Sequence, residues 1–284
     1  MKKSLRENLL NENELKSILT EFKQEKIHWQ DIDQSTTLNS MIEHIGSTDS
    51  VLRDQLIYDT FFRLMVERDQ IETERLSEIL DMCINEKLFT GIGENGTDTV
   101  FTRSFTTLVT ALILYKDNQQ DFLSEATINR VKEQLVKYYE LEEDLRGYVT
   151  GKGWAHSVAH VTDAFVELVK NSKFDKEEFP EIMRTLWQKV LVSSHAYVHQ
   201  EDERLLHPIL EMLDKGLEVH VLEDLMDQLP DELAERKDKI DYEEYLLLVF
   251  NVKTFLKTFY VKINNNPKLS SLQMQIEQTL EKVR

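Results

Sequence analysis

His156, His160 and Asp163 lie in the stretch GYVTGKGWAHSVAHVTD, where glycine, aromatic, cationic and imidazole groups are packed more closely than anywhere else in this chain. Steps of four and three residues put them on one face of a helix, because each residue advances about 100° around the axis. Two imidazoles and a carboxylate suit one divalent cation, and such a set leaves a coordination position open for water or substrate. The chemistry that follows is metal-assisted hydrolysis. The zincin pattern HExxH is not met, since Ser157 stands where the glutamate would be. Ser157 beside His160 is also too little to make a nucleophilic triad. The alternative is two hydrogen-bonded histidines in a helix interface, and both readings stay open at this point.

The residues around this set supply partners for it. Glu142, Glu143 and Asp144 end a helix beside Arg146. An acidic run at a helix C-terminus opposes the helix dipole, so a cation, a metal or a substrate is expected to face it. Gly147, Gly151 and Gly153 then allow a tight turn that aims Lys152 and Trp154 into a cleft. In the segment GIGENGTDTVFTRSF, residues 91–105, three glycines precede a helix that Thr97 or Asp98 can cap. Amides at that helix start can hold an anion, with Arg103 about a turn and a half further in. The spacing of a phosphate loop is absent. Glu94 or Glu143 is the candidate base, Arg146 or Lys152 the contact for an anionic group, and Arg103 and Trp154 the ligand-binding walls. His195, His199 and Asp202 repeat the HxxxHxxD pattern 39 residues after the first copy. That offset is near the HEAT-type repeat of about 40–47 residues. His199 and Asp202 are candidate ligand contacts, in a shared site, a separate site, or a duplicated hairpin with no site at all.

Helices must position these groups. Only four prolines occur, none before residue 180, and six of the eight glycines lie between 91 and 153. Scarce breakers permit long helices. Apolar residues recur at helical spacing, as in Leu76, Ile79, Leu80 and Cys83, and in Tyr245, Leu248, Val249, Val252 and Phe255. No period-two strand series is seen. The expected fold is all-α, a curved stack of helical hairpins of HEAT-like or α/α-solenoid character. It is read as a single domain over 1–284, with a motif-rich core at about 50–215 and C-terminal helices at 216–284. NNNP at 264–267 marks a break before a last amphipathic helix, and Asp31 to Ser40 reads as a linker.

Composition narrows the function classes. The chain has 34 Lys+Arg against 52 Asp+Glu, a net charge of −18, which disfavours nonspecific binding to nucleic acid or anionic membranes. Its one cysteine, Cys83, rules out an intrachain disulfide and fits a reducing cytoplasm. The N-terminal residues show no signal peptide, and no apolar run is long enough to span a bilayer.

GIGENGTDTVFTRSF, DLRGYVTGKGWAHSVAH and QEDER together resemble an uncharacterised bacterial family called domain of unknown function 2785, over roughly residues 50–215. The resemblance implies a single helical unit and carries no activity. The expected function is therefore a cytoplasmic protein with a polar, metal-competent pocket, either a metal-assisted hydrolase or a binder of a small anionic ligand. The alternative is a noncatalytic helical scaffold for a protein or peptide partner.

Overall fold

The computed structural model describes residues 9–283 and is mostly helical, as the breaker scarcity and the apolar periods require. The reading of the first eight residues as lacking a leader lies outside the described residues. No helix among the described residues is long and apolar enough to cross a membrane. The chain divides into two compact units, Met1–Asn171 and Ser172–Arg284.

In the first unit, α1 (Glu12–Lys23) starts at a capping box formed by Asn11 and Glu14. Most of the stretch expected to be a linker is instead α2 (Gln34–Glu43): Leu38, Met41 and Ile42 bury one face, and the Asp33 carboxylate caps the start by accepting from the Thr36 N–H. One winding run follows: a π-helical segment, Val51–Tyr58, then α3 (Asp59–Phe62), then a second π segment, Arg63–Glu67. A third π segment, Cys83–Lys87, continues α4 (Thr73–Met82). These turns are wider because N–H groups reach five residues back, as Arg68 does to Arg63 and Leu88 to Cys83.

The unit is built on α5 (Thr99–Gln120), which packs along α7 (Ser157–Lys170) more extensively than any other two elements pack together. Buried nearly all round, α5 has no polar face to turn outward. Its threonines return their hydroxyls to the helix, Thr106 to the Thr102 carbonyl (2.6 Å) and Thr110 to that of Thr106 (2.9 Å). Between α6 (Glu125–Leu141) and α7 the chain makes a two-stranded antiparallel hairpin, β1 (Tyr148–Val149) and β2 (Gly153–Trp154), with Tyr148 opposite Trp154. A period-two pattern cannot show in strands of two residues, so this hairpin is invisible to periodicity.

The second unit holds α8 (Phe179–Val190), α9 (Glu201–Asp214), α10 (Val219–Lys237), α11 (Tyr242–Ile263) and α12 (Ser270–Lys282). The break at 264–267 separates α11 from α12 as its composition implies. Trp187, Leu248, Phe255, Phe259 and Ile276 are among its buried core. Buried Asn251 ties down the loop before α9: its amide donates to the carbonyls of Val192 (2.9 Å) and His195 (2.7 Å), and it accepts from the Tyr197 N–H (2.9 Å).

Candidate functional site

The glycine turn at 91–98 and the segment 142–156 meet, and charged groups hold them together. Arg103 and Glu142 form a two-pronged pair with both side chains fully buried: Nε to Oε2 is 2.6 Å and Nη2 to Oε1 2.9 Å. The same guanidinium donates to the carbonyls of Thr90, Gly91 and Glu94 and to Thr99 Oγ1. Burial works against the Arg103 charge, yet the Glu142 hydrogen bonds and charge outweigh it and raise the guanidinium pKa above its ordinary value. Asp144, fully buried, accepts from the Gly96 N–H (3.0 Å) and from Arg146 at Nε (2.8 Å) and Nη2 (2.6 Å). Arg146 also donates to the Thr97 carbonyl (2.6 Å). Lys152 Nζ grips both oxygens of Asp98, at 2.6 and 2.7 Å.

Most of the charges expected to do chemistry are therefore holding the turn. Exposed Glu94 accepts from the hydroxyls of Thr97 and Thr99, both at 2.8 Å, which holds its carboxyl below the ordinary range and makes it a weaker base. Glu143 is exposed, while its neighbours Glu142 and Asp144 are the buried carboxylates. The acidic run does face cations, as its clash with the helix dipole suggests; they are Arg103 and Arg146.

A second network lies on the inner side of the hairpin. The fully buried Arg53 donates to the carbonyls of Ser47 (2.6 Å) and Lys152 (2.7 Å), and its guanidinium lies over the rings of Phe101 (4.3 Å) and Phe105 (4.7 Å). Its Nε sits 2.8 Å from Oδ1 of Asp54, in contact but outside hydrogen-bond geometry. Burial pushes the Asp54 carboxyl up to about 6, against the opposing pull of Arg53. Gly153 makes room for this pair: a Cβ there would stand 3.0 Å from Arg53 Nη2 and 3.2 Å from Asp54 Oδ2. Arg53 and Asp54 carry no motif, and their approach to residue 153 follows from a π-helical turn that composition does not signal.

The hairpin also anchors a ladder of rings. Tyr148 meets Trp154 edge to face (5.2 Å between centroids), and Trp154 stacks on His156 (4.8 Å, 22° between planes). His156 meets His160 (5.6 Å, 70°), and His160 meets Phe105 (5.0 Å, 84°). The ladder descends from Tyr148 and Trp154, 53% and 39% exposed, to buried Phe105.

This arrangement corrects the expected helical face. His156 is not inside α7; it is the residue before it, in the left-handed region at φ 46°, ψ 38°. Its ring stacks on Trp154 and still meets that of His160, so the two histidines are neighbours by this turn and not by sharing a helical face. Asp163 is partly buried on α7. Among the described residues no three His, Cys, Asp or Glu side chains converge to hold a metal ion, so His156, His160 and Asp163 do not assemble as a ligand set. The second HxxxHxxD copy lies in the other unit. There the His199 N–H donates to Glu201 Oε2 (2.8 Å), and Asp202 accepts from the Thr258 hydroxyl.

The model of a family described as "Protein of unknown function (DUF2785)" matches residues 88–261. No curated protein and no solved structure matches the chain.

Proposed function

We propose a function from the site itself, because the chain belongs to a family, protein of unknown function (DUF2785), whose description assigns no activity. The reading is a small-ligand-binding module in which Trp154 and Tyr148 receive a flat cationic group and His156 and His160 stand behind them. The observation that carries it is the ring ladder running from half-exposed Trp154 through two histidines to Phe105. Electron-rich ring faces attract organic cations. The nearby Arg53, Arg103, Arg146 and Lys152 are already engaged by carboxylates and carbonyls, which weakens the case for an anionic ligand. A left-handed, non-glycine residue at the centre of the ladder, His156, also suits a functional position.

Fluorescence tests this. Trp29 and Trp187 are 2% and 1% exposed, so acrylamide quenching reports chiefly on Trp154. Benzamidinium, a flat aromatic cation, is expected to protect Trp154 saturably, and Trp154→Ala to abolish its binding. Quenching unchanged by benzamidinium at millimolar concentration counts against the reading.

A second reading, a helical-hairpin scaffold of HEAT-like character that binds a protein partner, draws on a specific observation. Tyr242, Leu246 and Phe250 are exposed at i, i+4 and i+8 on α11. Metal-assisted hydrolysis through His156, His160 and Asp163 has the least support, since it lacks a three-donor set among the described residues; stoichiometric metal in the purified protein would restore it. A cytoplasmic setting belongs to the same reading, supported by the single buried cysteine.

A further inference from the structure

The second unit contains a cavity of about 450 Å³, within the size range of small-molecule sites. Its two walls are α8 and α10, and each presents one helical face to it. From α8 come Arg184, Trp187 and Gln188, at i, i+3 and i+4; from α10 come Val221, Asp224, Leu225 and Gln228, at i, i+3, i+4 and i+7. Trp187, 1% exposed and packed edge to face on Phe255 at 5.9 Å, backs the cavity. Leu225 and Val221 continue the apolar surface.

Two exposed charges of opposite sign flank the cavity. Arg184 and Asp224 line the same cavity from opposite walls, yet among the described residues neither has an ion pair or a side-chain hydrogen bond. The remaining lining charges are accounted for differently. Glu232 pairs with Arg236 at 2.7 Å, and Arg236 is itself fixed by the Leu191 carbonyl; His220 is exposed at the start of α10. One unengaged cation and one unengaged anion thus face a shared space, with a carboxamide on each wall between apolar groups.

We infer that this cavity binds a small zwitterion with an apolar side chain, of the amino-acid and dipeptide class. Its carboxylate faces Arg184, its ammonium faces Asp224, its peptide group lies between Gln188 and Gln228, and its side chain lies against Val221 and Leu225. Opposite charges on the two walls favour a ligand carrying both over one that lacks either, because the ligand then covers one wall charge without pairing it.

Isothermal titration of the full-length protein with leucyl-phenylalanine tests the assignment. Saturable binding is expected, and both N-acetyl-leucyl-phenylalanine, which lacks the ammonium, and leucyl-phenylalaninamide, which lacks the carboxylate, should bind at least about tenfold more weakly. Arg184 and Asp224 are exposed, so their variants keep the fold. Arg184→Ala should no longer distinguish the amide from the parent dipeptide, and Asp224→Asn should no longer distinguish the N-acetyl form. Absence of saturable binding to the wild type overturns the proposal. So does discrimination that persists in either variant. Trp154→Ala leaves the titration unchanged, which separates this result from the fate of the hairpin site.

Discussion

Arg103 and Glu142 show how a buried charge constrains a fold. Their two-pronged contact is fully buried, and the guanidinium's remaining donors reach carbonyls of the glycine turn, so one side chain fastens the turn to the end of α6. Removing one partner leaves an uncompensated charge in a place water cannot reach. Glu142→Gln is therefore expected to destabilise the protein by about 3 kcal/mol or more in urea unfolding followed by circular dichroism. The double variant Arg103→Met, Glu142→Leu should lose less than the sum of the two single changes. Asp54 behaves differently, since its folded pKa of about 6 lies above the ordinary 3.8. The native state then holds the proton more tightly than the unfolded chain does. Its contribution to stability is full below about pH 4 and is lost as pH rises through about 6. Thermal melts of wild type and Asp54→Asn should accordingly show a difference that shifts in favour of the variant between pH 4 and 6 and levels off above. The opposite slope would mean that Arg53, not burial, governs this carboxyl.

At the scale of elements, the hairpin is the device that places the rings. Gly153 sits at φ 82°, and a Cβ there would stand 2.8 Å from Cβ of Ser50, on the turn leading into the first π-helical segment. Gly151, at φ 79°, faces open space. Gly151→Ala thus carries only the left-handed penalty of about 1–2 kcal/mol, whereas Gly153→Ala must also push Ser50 and Arg53 aside. Paired urea midpoints should rank Gly153→Ala as clearly the more damaging. The helices themselves were legible, because a 3.6-residue apolar period and the absence of breakers are local properties. The composition of 91–96 and 146–160 pointed to one shared cavity; what joins the glycine turn to the segment after α6 is ion pairing and hydrogen bonding, as between Gly96 and Asp144 and between Asp98 and Lys152. Three features were not legible. The helix at 34–43 is capped by Asp33 and buries Leu38, Met41 and Ile42, a short apolar stripe in a run that otherwise reads as polar linker. Arg53 and Asp54 reach the hairpin through i to i+5 turns that no residue pattern marks. His156 stands before α7 in a left-handed turn although its ring still meets that of His160, and such a backbone is not visible in a spacing that reads as helix.

For the whole molecule, Cys83 provides a probe of how cooperatively the first unit is held. It is the chain's only cysteine, it is buried, and burial pushes its thiol up to about 12 despite Lys87 and a Thr110 hydrogen bond pulling the other way. It sits at the start of the π segment that packs on α5, the helix around which the unit is built. The thiolate is the reactive form, so labelling requires the core around α5 to open and expose this side chain. Ellman's reagent should find no rapidly reacting thiol in the native protein and one per chain in denaturant. The slow native rate then measures opening of the core. If the Arg103–Glu142 pair fastens that same cooperative unit, Glu142→Gln, at a cost of about 3 kcal/mol, should accelerate labelling by roughly two orders of magnitude. A rate unchanged by the substitution would mean that Cys83 becomes exposed through a local opening of the π turn, with the ion pair and α5 still in place.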